Sequence, residues 1–419
     1  MSALASLPTL SDRLLPGGPA RDLPGHLELY GPLPPVADDR RDLIRLVEES
    51  GLTGRGGAGF PTAVKLRAVA RGGRAVVVAN GTEGEPASAK DKALMTRNPQ
   101  LVLDGVLVAA DLVGAAEAIA AVSREDRASI DALGSALRER RDAARVRIAT
   151  PPERFVTGEE TALVSWLNGG DAKPAFTPPR PYEAGVRGRP TLVQNVETLA
   201  NLALVVRNGP AWFRAAGTEA EPGTALVTVS GAVRRPGVVE VALGTTLGDA
   251  IDLCGGLAAP PQAILVGGYF GSWLPPDLDL PLANEALRPL GGALGARAIA
   301  VLPMGVCGVV ETARVAGYLA GQGAGQCGPC VFGLRAVAES LALIARREPG
   351  AAAALARLPR LGAQIAGRGA CAHPDGALGF VRSALQAFAG ELDAHLAGRC
   401  SATDHRPLLP TPPTTADWR

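Results

Sequence analysis

The chain has 419 residues and a net charge of +1, and 47% of its residues are hydrophobic and 20% charged. This is the balance of an ordinary globular protein, and the small net charge argues against electrostatic binding to nucleic acid or to a membrane surface. The N-terminus lacks a basic region followed by a long apolar core, and the apolar stretches further along are broken by charges or rich in glycine. We therefore expect a cytoplasmic protein that has no signal peptide and is not directly inserted into a membrane.

The first half of the chain is predicted to form an arm followed by an α/β domain. Residues 1–37 are rich in Pro and Gly and are predicted to be an irregular arm. Residues 38–222 begin with a helix that ends near Gly51, continue through a glycine loop to a buried strand at residues 75–79, and then alternate between helical and strand-like stretches. This alternation is typical of an α/β fold.

A change in character near residue 223 predicts further domains. Residues 223–300 alternate around the turn Arg235-Pro236-Gly237, which favours a small β-rich module. Residues 301–398 are rich in Ala, Leu and Arg with helical periodicity and are predicted to be a helical bundle. Residues 399–419 contain four prolines and are predicted to be a disordered tail.

The glycine loop carries the first functional signal. Gly54, Gly56 and Gly59 fit the pattern G-x-G-x-x-G, but a helix precedes them where an ordinary dinucleotide-binding fold requires a strand. Closely spaced glycines still let backbone N–H groups approach a phosphate or a flat ring, and Lys65, one turn into the next helix, could reach the same phosphate. The alternative is a plain glycine turn.

Several motifs in a preserved order give the sequence a family resemblance. From about residue 40 to residue 395 the chain resembles the NADH-binding flavin subunit of respiratory complex I and the related subunits of NAD-linked hydrogenases and formate dehydrogenases. The segments that carry the resemblance are GRGGAGFPT at 54–62, NGTEGEPASAKD at 80–91, TGEETAL at 157–163, KPAF at 173–176, QNVETL at 194–199, the stretch 229–256 and QCGPC at 326–330 with Cys371 downstream. The resemblance implies a Rossmann-like FMN domain, a small β-grasp module that binds a soluble ligand, and a C-terminal helical bundle for an iron–sulfur cluster.

The resemblance also implies roles for individual residues. FMN would be held by the glycine loop and its neighbours, namely Gly54, Arg55, Gly56, Gly57, Gly59, Phe60 and Lys65. Further cofactor contacts would come from Asn80, Thr82, Glu83, Val193, Gln194 and Asn195, and from Gly158 and Glu159, whose N–H groups can face a flavin oxygen. Glu85 and Glu160 would be the catalytic carboxylates near the nicotinamide of NAD(P)H, while Phe176 would stack on adenine beside Lys173.

Simpler interpretations exist for some of these residues. Glu159 and Glu160 could be ordinary acids at a helix N-terminus, and Phe176 could be a core aromatic. Lys90 and Lys92 are expected to be solvated. The remaining candidates for metal binding are expected to be structural or without a ligand, namely the four histidines His26, His373, His395 and His405 and the cysteines Cys254, Cys307 and Cys400.

The iron–sulfur motif departs from the family pattern at one position. The family has C-x2-C-x2-C with a distant fourth Cys, whereas this chain has Ala324 at the first position and keeps Cys327, Cys330 and Cys371. Three thiolates cannot fill the usual set of four. A [4Fe–4S] cluster with a ligand other than Cys, a [3Fe–4S] cluster and a vestigial site therefore all remain open.

The resemblance implies a flavoprotein that takes hydride from NAD(P)H onto FMN and passes single electrons to an iron–sulfur cluster and a partner carrier. That partner would be a ferredoxin or a thioredoxin-like [2Fe–2S] subunit, and the protein could be peripheral to a membrane complex. Leu66 stands where the family often has an aromatic residue that helps to sandwich adenine, so a ferredoxin-linked or bifurcating flavoprotein with weakened NADH use is one alternative. A non-catalytic scaffold subunit is another.

Overall fold

The structure, a computed structural model, describes residues 12–35, 40–413 and 417–419. The elements of its first domain are α1 (Leu23–Tyr30), α2 (Arg40–Ser50), α3 (Thr62–Ala70), β1 (Val76–Gly81), α4 (Lys90–Arg97), α5 (Pro99–Val113), β2 (Glu117–Val122), α6 (Arg127–Glu139), β3 (Val146–Ala149), α7 (Glu160–Leu167), β4 (Thr191–Asn195) and α8 (Val196–Arg214). The strands form one parallel sheet in the order β3-β2-β1-β4.

The side chains of the central strand β1 are buried on both faces of the sheet. Its residues Val76, Val77, Val78 and Ala79 are all fully buried. Val77 and Ala79 belong to a core that includes α5 and α8, whereas Val76 and Val78 belong to a smaller core with Leu163 of α7. An unbroken apolar run of this kind is typical of a parallel strand between two helical layers.

Helices α5 and α8 cross at very short range on one face of the sheet. Gly105 lies at the crossing, and a Cβ atom there would be 2.0 Å from the carbonyl oxygen of Leu199. Only glycine allows this approach of the two backbones. The contact fixes α8, whose first turn follows β4 directly at the edge of the sheet.

A buried carboxylate fastens the N-terminal arm to this domain. Asp104 on α5 is 1% exposed, accepts hydrogen bonds from Arg140 and Arg207 at 2.5 Å each, and lies 2.6 Å from Nε2 of His26 on α1. Burial alone would raise the pKa of Asp104, but His26, Arg207 and Arg140 together lower it to about 2.

The prediction of an irregular arm at residues 1–37 is wrong for part of the described chain. Residues 23–30 form a helix, and the side chain of Asp22 accepts a hydrogen bond from the N–H of Gly25 at 3.0 Å to begin it. Residues 1–11 and 36–37 lie outside the described residues. The helix forms because it has a good N-cap and packs on α5 through His26.

The second domain is a five-stranded mixed sheet. Its elements are β5 (Thr224–Gly231), β6 (Gly237–Ala242), α9 (Leu247–Leu253), β7 (Pro261–Val266), β8 (Ser272–Leu274), α10 (Asn284–Leu287) and β9 (Ala298–Pro303). The strand order is β6-β5-β9-β7-β8, in which only β5 and β9 pair in parallel. The predicted boundary at residue 300 falls inside β9, because this last strand pairs between β5 and β7 and so belongs to the sheet.

The third domain is helical. It consists of α11 (Gly308–Gln322), a π-helical turn (Pro329–Leu334), α12 (Arg335–Ala345), α13 (Ala351–Ile365), α14 (His373–Ala387) and α15 (Ala389–Leu396). These helices share one apolar core, which also takes in residues of β7 and β9. Among the described residues, the structure contains no helix with the length and apolar character needed to cross a membrane.

The prediction of a disordered tail at residues 399–419 is also wrong for its described part. Leu409 is 2% exposed, and its N–H donates to the buried carboxylate of Glu311 at 2.9 Å. The hydroxyl of Tyr269 donates to the carbonyl of Pro410, and the ring of Trp418 lies 3.8 Å from the guanidinium carbon of Arg154. Prolines prevent regular structure here, but the segment can still lie extended on the surface because its remaining polar groups find partners.

Buried Glu240 on β6 predicts a pH dependence of stability. It accepts hydrogen bonds from the N–H groups of Leu14 and Leu15 and from the hydroxyl of Thr224. Burial raises its pKa from 4.5 to about 7, and these hydrogen bonds oppose the shift. The folded protein therefore holds a proton that the unfolded chain releases above pH 4.5, so this contribution to stability is lost as pH rises to about 7.

We expect the stability advantage of the wild type over Glu240→Gln to fall by up to about 3 kcal/mol between pH 4.5 and 7, since one pKa unit corresponds to about 1.4 kcal/mol. Urea unfolding of both proteins at several pH values in this window measures the difference. Parallel profiles for the two proteins would contradict the prediction.

Candidate functional site

The predicted cofactor loops meet at the carboxyl edge of the parallel sheet. β1 and β4 are neighbours in register, so that Ala79 is opposite Gln194 and Asn80 is opposite Asn195. The loop after β1 and the first turn of α8 therefore begin side by side. Ligands of open α/β sheets bind at this edge, where neighbouring connections diverge.

The glycine loop covers this edge with nearly bare backbone. Gly57 and Gly59 have left-handed φ angles of +120° and +62°, and a Cβ atom at Gly56 would lie 3.0 Å from the Cβ atom of Asn195. Closure of the loop comes from the N–H of Gly54, which donates to the carbonyl of Phe60 at 2.9 Å. Phe60 is 52% exposed, so both the aromatic ring and the backbone before it are open to a ligand.

Arg55, which the resemblance places in the FMN-binding loop, has its side chain buried rather than on this surface. It is 1% exposed, and its guanidinium donates to the carbonyls of Thr224 at 3.2 Å and Pro222 at 3.0 Å. Its own carbonyl accepts a hydrogen bond from Arg297. Arg55 thus ties the glycine loop to the second domain, because its long side chain finds carbonyl partners there.

The loop after β1 touches the segment before α7. The side-chain amide of Asn80 donates to the carbonyl of Gly158 at 2.8 Å, and the hydroxyl of Thr82 donates to Oδ1 of Asn80 at 2.6 Å. A Cβ atom at Gly158 would lie 2.9 Å from the carbonyl oxygen of Thr82. These three predicted residues are therefore in mutual contact.

Glu159 and Glu160 have different environments. The carboxylate of Glu159 caps α7 by accepting from the N–H groups of Thr161 and Ala162, and its own N–H donates to the carbonyl of Val156 at 3.0 Å. The N–H group of Glu159, which the resemblance would place facing the flavin, therefore has a backbone partner in this structure. Glu160 instead points outward.

The side chain of Glu160 pairs with the predicted phosphate-binding lysine. Its Oε2 lies 2.7 Å from Nζ of Lys65, and the two side chains are 28% and 20% exposed. This ion pair is the point where the predicted catalytic carboxylate and the predicted FMN contact meet. Both charged groups remain accessible to a ligand.

Two further predicted cofactor contacts have side chains with partners within the chain. The carboxylate of Glu83 accepts from the hydroxyl of Ser88 and from the N–H groups of Asp91 and Lys92, so it stabilises the first turn of α4. Val193 is 3% exposed and lies in the smaller core of the sheet. Both side chains therefore stabilise the fold, and their contact with the cofactor stays a prediction.

Glu85 lies between the first and second domains. Its two carboxylate oxygens accept hydrogen bonds from the N–H of Ala87 at 3.0 Å and from the N–H of Tyr269 at 2.7 Å. Burial raises its pKa to about 7, and these backbone hydrogen bonds oppose the shift. It also lines a cleft together with Phe155 and Tyr318. The carboxylate of Glu85 therefore both links the two domains and lines this cleft.

Phe176 and Lys173 lie in the segment after α7. Phe176 is 80% exposed, so the alternative of a core aromatic is wrong. Nζ of Lys173 lies 2.9 Å from Oδ2 of Asp171 and 5.1 Å from the centre of the Trp418 ring. The exposed ring of Phe176 is a suitable surface for stacking a planar base.

A buried charge network beneath the glycine loop was missed by sequence reasoning. Lys90, predicted to be solvated, has a side chain that is 3% exposed and lies 2.6 Å from Asp91 and 2.8 Å from Glu197. The side-chain amide of Asn195 donates to Asp91 at 2.7 Å, while its Oδ1 caps α8 by accepting from the N–H of Glu197. Adjacent Gln194 is 7% exposed and donates to the hydroxyl of Thr62 at 3.3 Å.

The three cysteines of the predicted cluster motif are brought together at the π-helical turn. The N–H of Cys330 donates to the carbonyl of Cys327 at 3.2 Å. Burial raises the pKa of Cys330 to about 12, and the neighbouring Cys327 and Cys371 raise it further. The pKa of Cys371 is raised by burial too, and Glu159 adds to the rise, so the cap of α7 lies near the cluster cysteines.

Three family models match successive parts of the chain. Residues 47–204 match the Nuo51 FMN-binding domain, residues 226–268 the SLBB domain, and residues 311–395 the NADH-ubiquinone oxidoreductase-F iron-sulfur binding region. A subunit of the NADH-quinone oxidoreductase of Rhizobium meliloti strain 1021 is 33% identical over 377 residues, which cover 85% of this chain and 89% of the relative. The chain belongs to the family of FMN-binding subunits of NADH-quinone oxidoreductase.

The chain is also similar to subunits of hydrogenases. The HndC subunit of the NADP-reducing hydrogenase of Solidesulfovibrio fructosivorans is 30% identical over 375 residues, which cover 85% of this chain and 76% of the relative. A crystal structure of an NAD+-reducing [NiFe]-hydrogenase in its H2-reduced state superposes with a TM-score of 0.80 at 31% identity. That alignment covers 90% of this chain and 65% of the hydrogenase chain.

These matches confirm the family and the fold class predicted from the sequence. They also confirm the oxidoreductase class and the cofactor classes, FMN and an iron–sulfur cluster, for which the matched domains are named. The relatives are named as subunits, so the family works in assemblies with partner chains.

Proposed function

We propose that this member of the NADH-quinone oxidoreductase family takes hydride from NAD(P)H onto FMN and passes single electrons through an iron–sulfur cluster to a partner carrier. The observation that carries the proposal is the convergence of the bare glycine loop, the Asn80–Thr82–Gly158 contacts and the Lys65–Glu160 ion pair at one edge of the parallel sheet. Glu159, the cap of α7 at the same edge, is close enough to Cys371 of the third domain to raise the pKa of its thiol.

The residues at this edge fit FMN. The glycine loop has no side chains where a flat ring and a phosphate need close backbone contact, and Lys65 supplies the cation for the phosphate. When bound, FMN would accept hydride as an electron pair and release the electrons one at a time. The task of the chain is therefore positioning rather than acid–base catalysis.

The remaining residues of the site would contact NAD(P)H. Glu160 can accept hydrogen bonds from ribose hydroxyls once Lys65 is engaged by phosphate, because an ionised carboxylate offers several acceptor positions. Glu85 is held by two backbone N–H groups, and its remaining lone pairs would accept hydrogen bonds on the nicotinamide side. Phe176 would stack on adenine, with Lys173 beside it.

The cluster would be held by Cys327, Cys330 and Cys371, whose thiols influence one another's charge. Three thiolates suit a [3Fe–4S] cluster, or a [4Fe–4S] cluster whose fourth iron has another ligand. The partner would be a ferredoxin or a thioredoxin-like [2Fe–2S] subunit, and the naming of the relatives as subunits supports a partner chain.

The deciding experiment is the visible spectrum of anaerobically purified protein before and after addition of NADH. We expect flavin bands that bleach with NADH and a broad shoulder from the cluster. Cys330→Ala should abolish the shoulder and the protein-bound iron but keep the flavin response, whereas Cys254→Ala, which removes a buried thiol of the second domain, should change neither. Electron paramagnetic resonance separates the two cluster types.

A second candidate function is ferredoxin-linked flavin reduction with weakened NADH use. It is favoured by Leu66, which is fully buried on α3 and therefore offers no ring for adenine. Flavin that bleaches with reduced ferredoxin but not with NADH would favour this candidate. A protein that takes up no FMN would overturn both and leave a scaffold subunit.

A further inference from the structure

A second group of potential metal ligands lies away from the cluster motif, in the helical domain. The Sγ atoms of Cys307 and Cys400, Nε2 of His395 and a carboxylate oxygen of Glu391 all lie within 4.8 Å of one another. Nothing in the sequence motifs marks this group. It forms only when both ends of the third domain come together.

Three elements supply the four side chains. Cys307 is the N-cap of α11 and follows the short turn after β9. Glu391 and His395 are one turn apart on α15, a spacing that places both side chains on the same face of a helix. Cys400 follows five residues after His395, where the chain turns back.

The hydrogen bonds of His395 prepare it as a ligand. Its Nδ1 lies 3.0 Å from the carbonyl of Ile344, and because a carbonyl can only accept, Nδ1 carries the proton. Nε2 is then left with a lone pair, 3.4 Å from Sγ of Cys307 and 3.2 Å from Oε1 of Glu391. Metal-binding histidines are typically oriented by such a hydrogen bond from the other ring nitrogen to a carbonyl.

Burial distinguishes this group from a cluster of surface residues. His395 is 1% exposed and Cys307 is 4% exposed. Glu391 is fixed by Ser401, whose N–H donates to Oε1 at 3.0 Å and whose hydroxyl donates to Oε2. Two thiols, one imidazole lone pair and one carboxylate are therefore held around a common centre, and among the described residues no Lys or Arg forms an ion pair with Glu391.

We propose that Cys307, Glu391, His395 and Cys400 bind a structural Zn2+ ion. Sulfur, nitrogen and carboxylate oxygen are the donors that Zn2+ accepts, and four protein ligands form a closed tetrahedral site without an open position for a substrate. In this site Cys307, Cys400 and His395 are ligands, in place of the core, unliganded and structural roles expected from the sequence. The site is independent of the proposed electron transfer and uses none of the cluster cysteines.

The ion would join parts of the chain that are distant in sequence. It would connect the junction between β9 and α11 to the end of α15 and to the segment after Cys400. That segment continues to Leu408 and Leu409, whose N–H groups donate to Glu311 of α11. The proposed metal would therefore cross-link the beginning and the end of the helical domain and stabilise its folded state.

The test is the zinc content of the full-length protein, purified anaerobically after growth with added Zn2+ and measured by mass spectrometry of the elements. We expect about one zinc per chain in the wild type. Cys400→Ser and His395→Gln should lower the zinc content about tenfold or more, with unchanged iron and FMN contents that show an intact fold. Cys254→Ser, which changes a thiol in the second domain, should keep the zinc.

Several results would overturn the proposal. They are a wild type that takes up no Zn2+ on titration of the reduced protein, ligand variants that keep full zinc, or a Cys307–Cys400 disulfide found by peptide mass spectrometry in freshly purified protein. Should the ligand variants not fold, a Co2+ titration of Cys330→Ser/Cys371→Ser protein decides instead. Thiolate-to-cobalt charge-transfer absorption supports the site, and its absence overturns it.

Discussion

Replacement of Lys90 by methionine is expected to lower the free energy of unfolding by about 3–5 kcal/mol, the usual range when one partner of a buried ion pair is removed. The ammonium group lies 2.6 Å from Asp91 and 2.8 Å from Glu197, and its side chain is 3% exposed. Without it, two carboxylates face each other in a region that water does not reach. Urea unfolding of the flavin-free protein measures the change.

Lys92 provides a matched control two residues away on the same helix. Its side chain is 39% exposed and lies 3.8 Å from Glu153, a geometry in which an ion pair contributes at most about 1 kcal/mol. Lys92→Met should therefore change stability by less than about 1 kcal/mol. Equal effects of the two substitutions would refute the assignment of Lys90 to a buried network.

Replacement of Lys65 by alanine should weaken FMN binding by roughly 10- to 150-fold. A hydrogen bond to a charged group contributes about 1.5–3 kcal/mol, and each 1.4 kcal/mol corresponds to a factor of ten in affinity. The ammonium group is partly exposed and paired with Glu160, so it can exchange this partner for a phosphate. Titration of the flavin-free protein with FMN, followed by the quenching of flavin fluorescence, gives the dissociation constant.

Arg71 is the control for this substitution because it is an exposed cation at the end of the same helix. Arg71→Ala should leave FMN affinity within about twofold, since surface charges far from a ligand are largely screened by salt. Riboflavin, which lacks the phosphate, should bind the wild type and Lys65→Ala equally well. A riboflavin affinity that falls as much as FMN affinity would mean that Lys65 acts on the ring rather than on the phosphate.

The position of the site could be predicted from local patterns together with the family resemblance of the ordered motifs. The apolar run of β1 predicted a buried strand, and the glycines after α2 predicted backbone open to a ligand. The carboxyl edge of a parallel sheet then brings the loops together. The helix at residues 23–30 could also have been predicted, since Asp22, Pro24 and Gly31 are ordinary start and stop signals of a helix.

The directions of charged side chains could not be predicted in the same way. The partners of Arg55 are carbonyls of Pro222 and Thr224, more than 160 residues further along the chain. Lys90 is buried because Glu197 reaches it from the first turn of α8. Sequence shows the type of such a residue, whereas its burial is decided by tertiary partners.

The link between the first and second domains has a consequence for how the family can be taken apart. The guanidinium of Arg55 donates to Pro222 and Thr224, and the carboxylate of Glu85 accepts the N–H of Tyr269. A fragment that ends at residue 222 would lose the partners of both side chains, next to the glycine loop and the loop after β1. We therefore expect that the first domain cannot be transferred alone between relatives. Recombination between relatives should keep the first and second domains together.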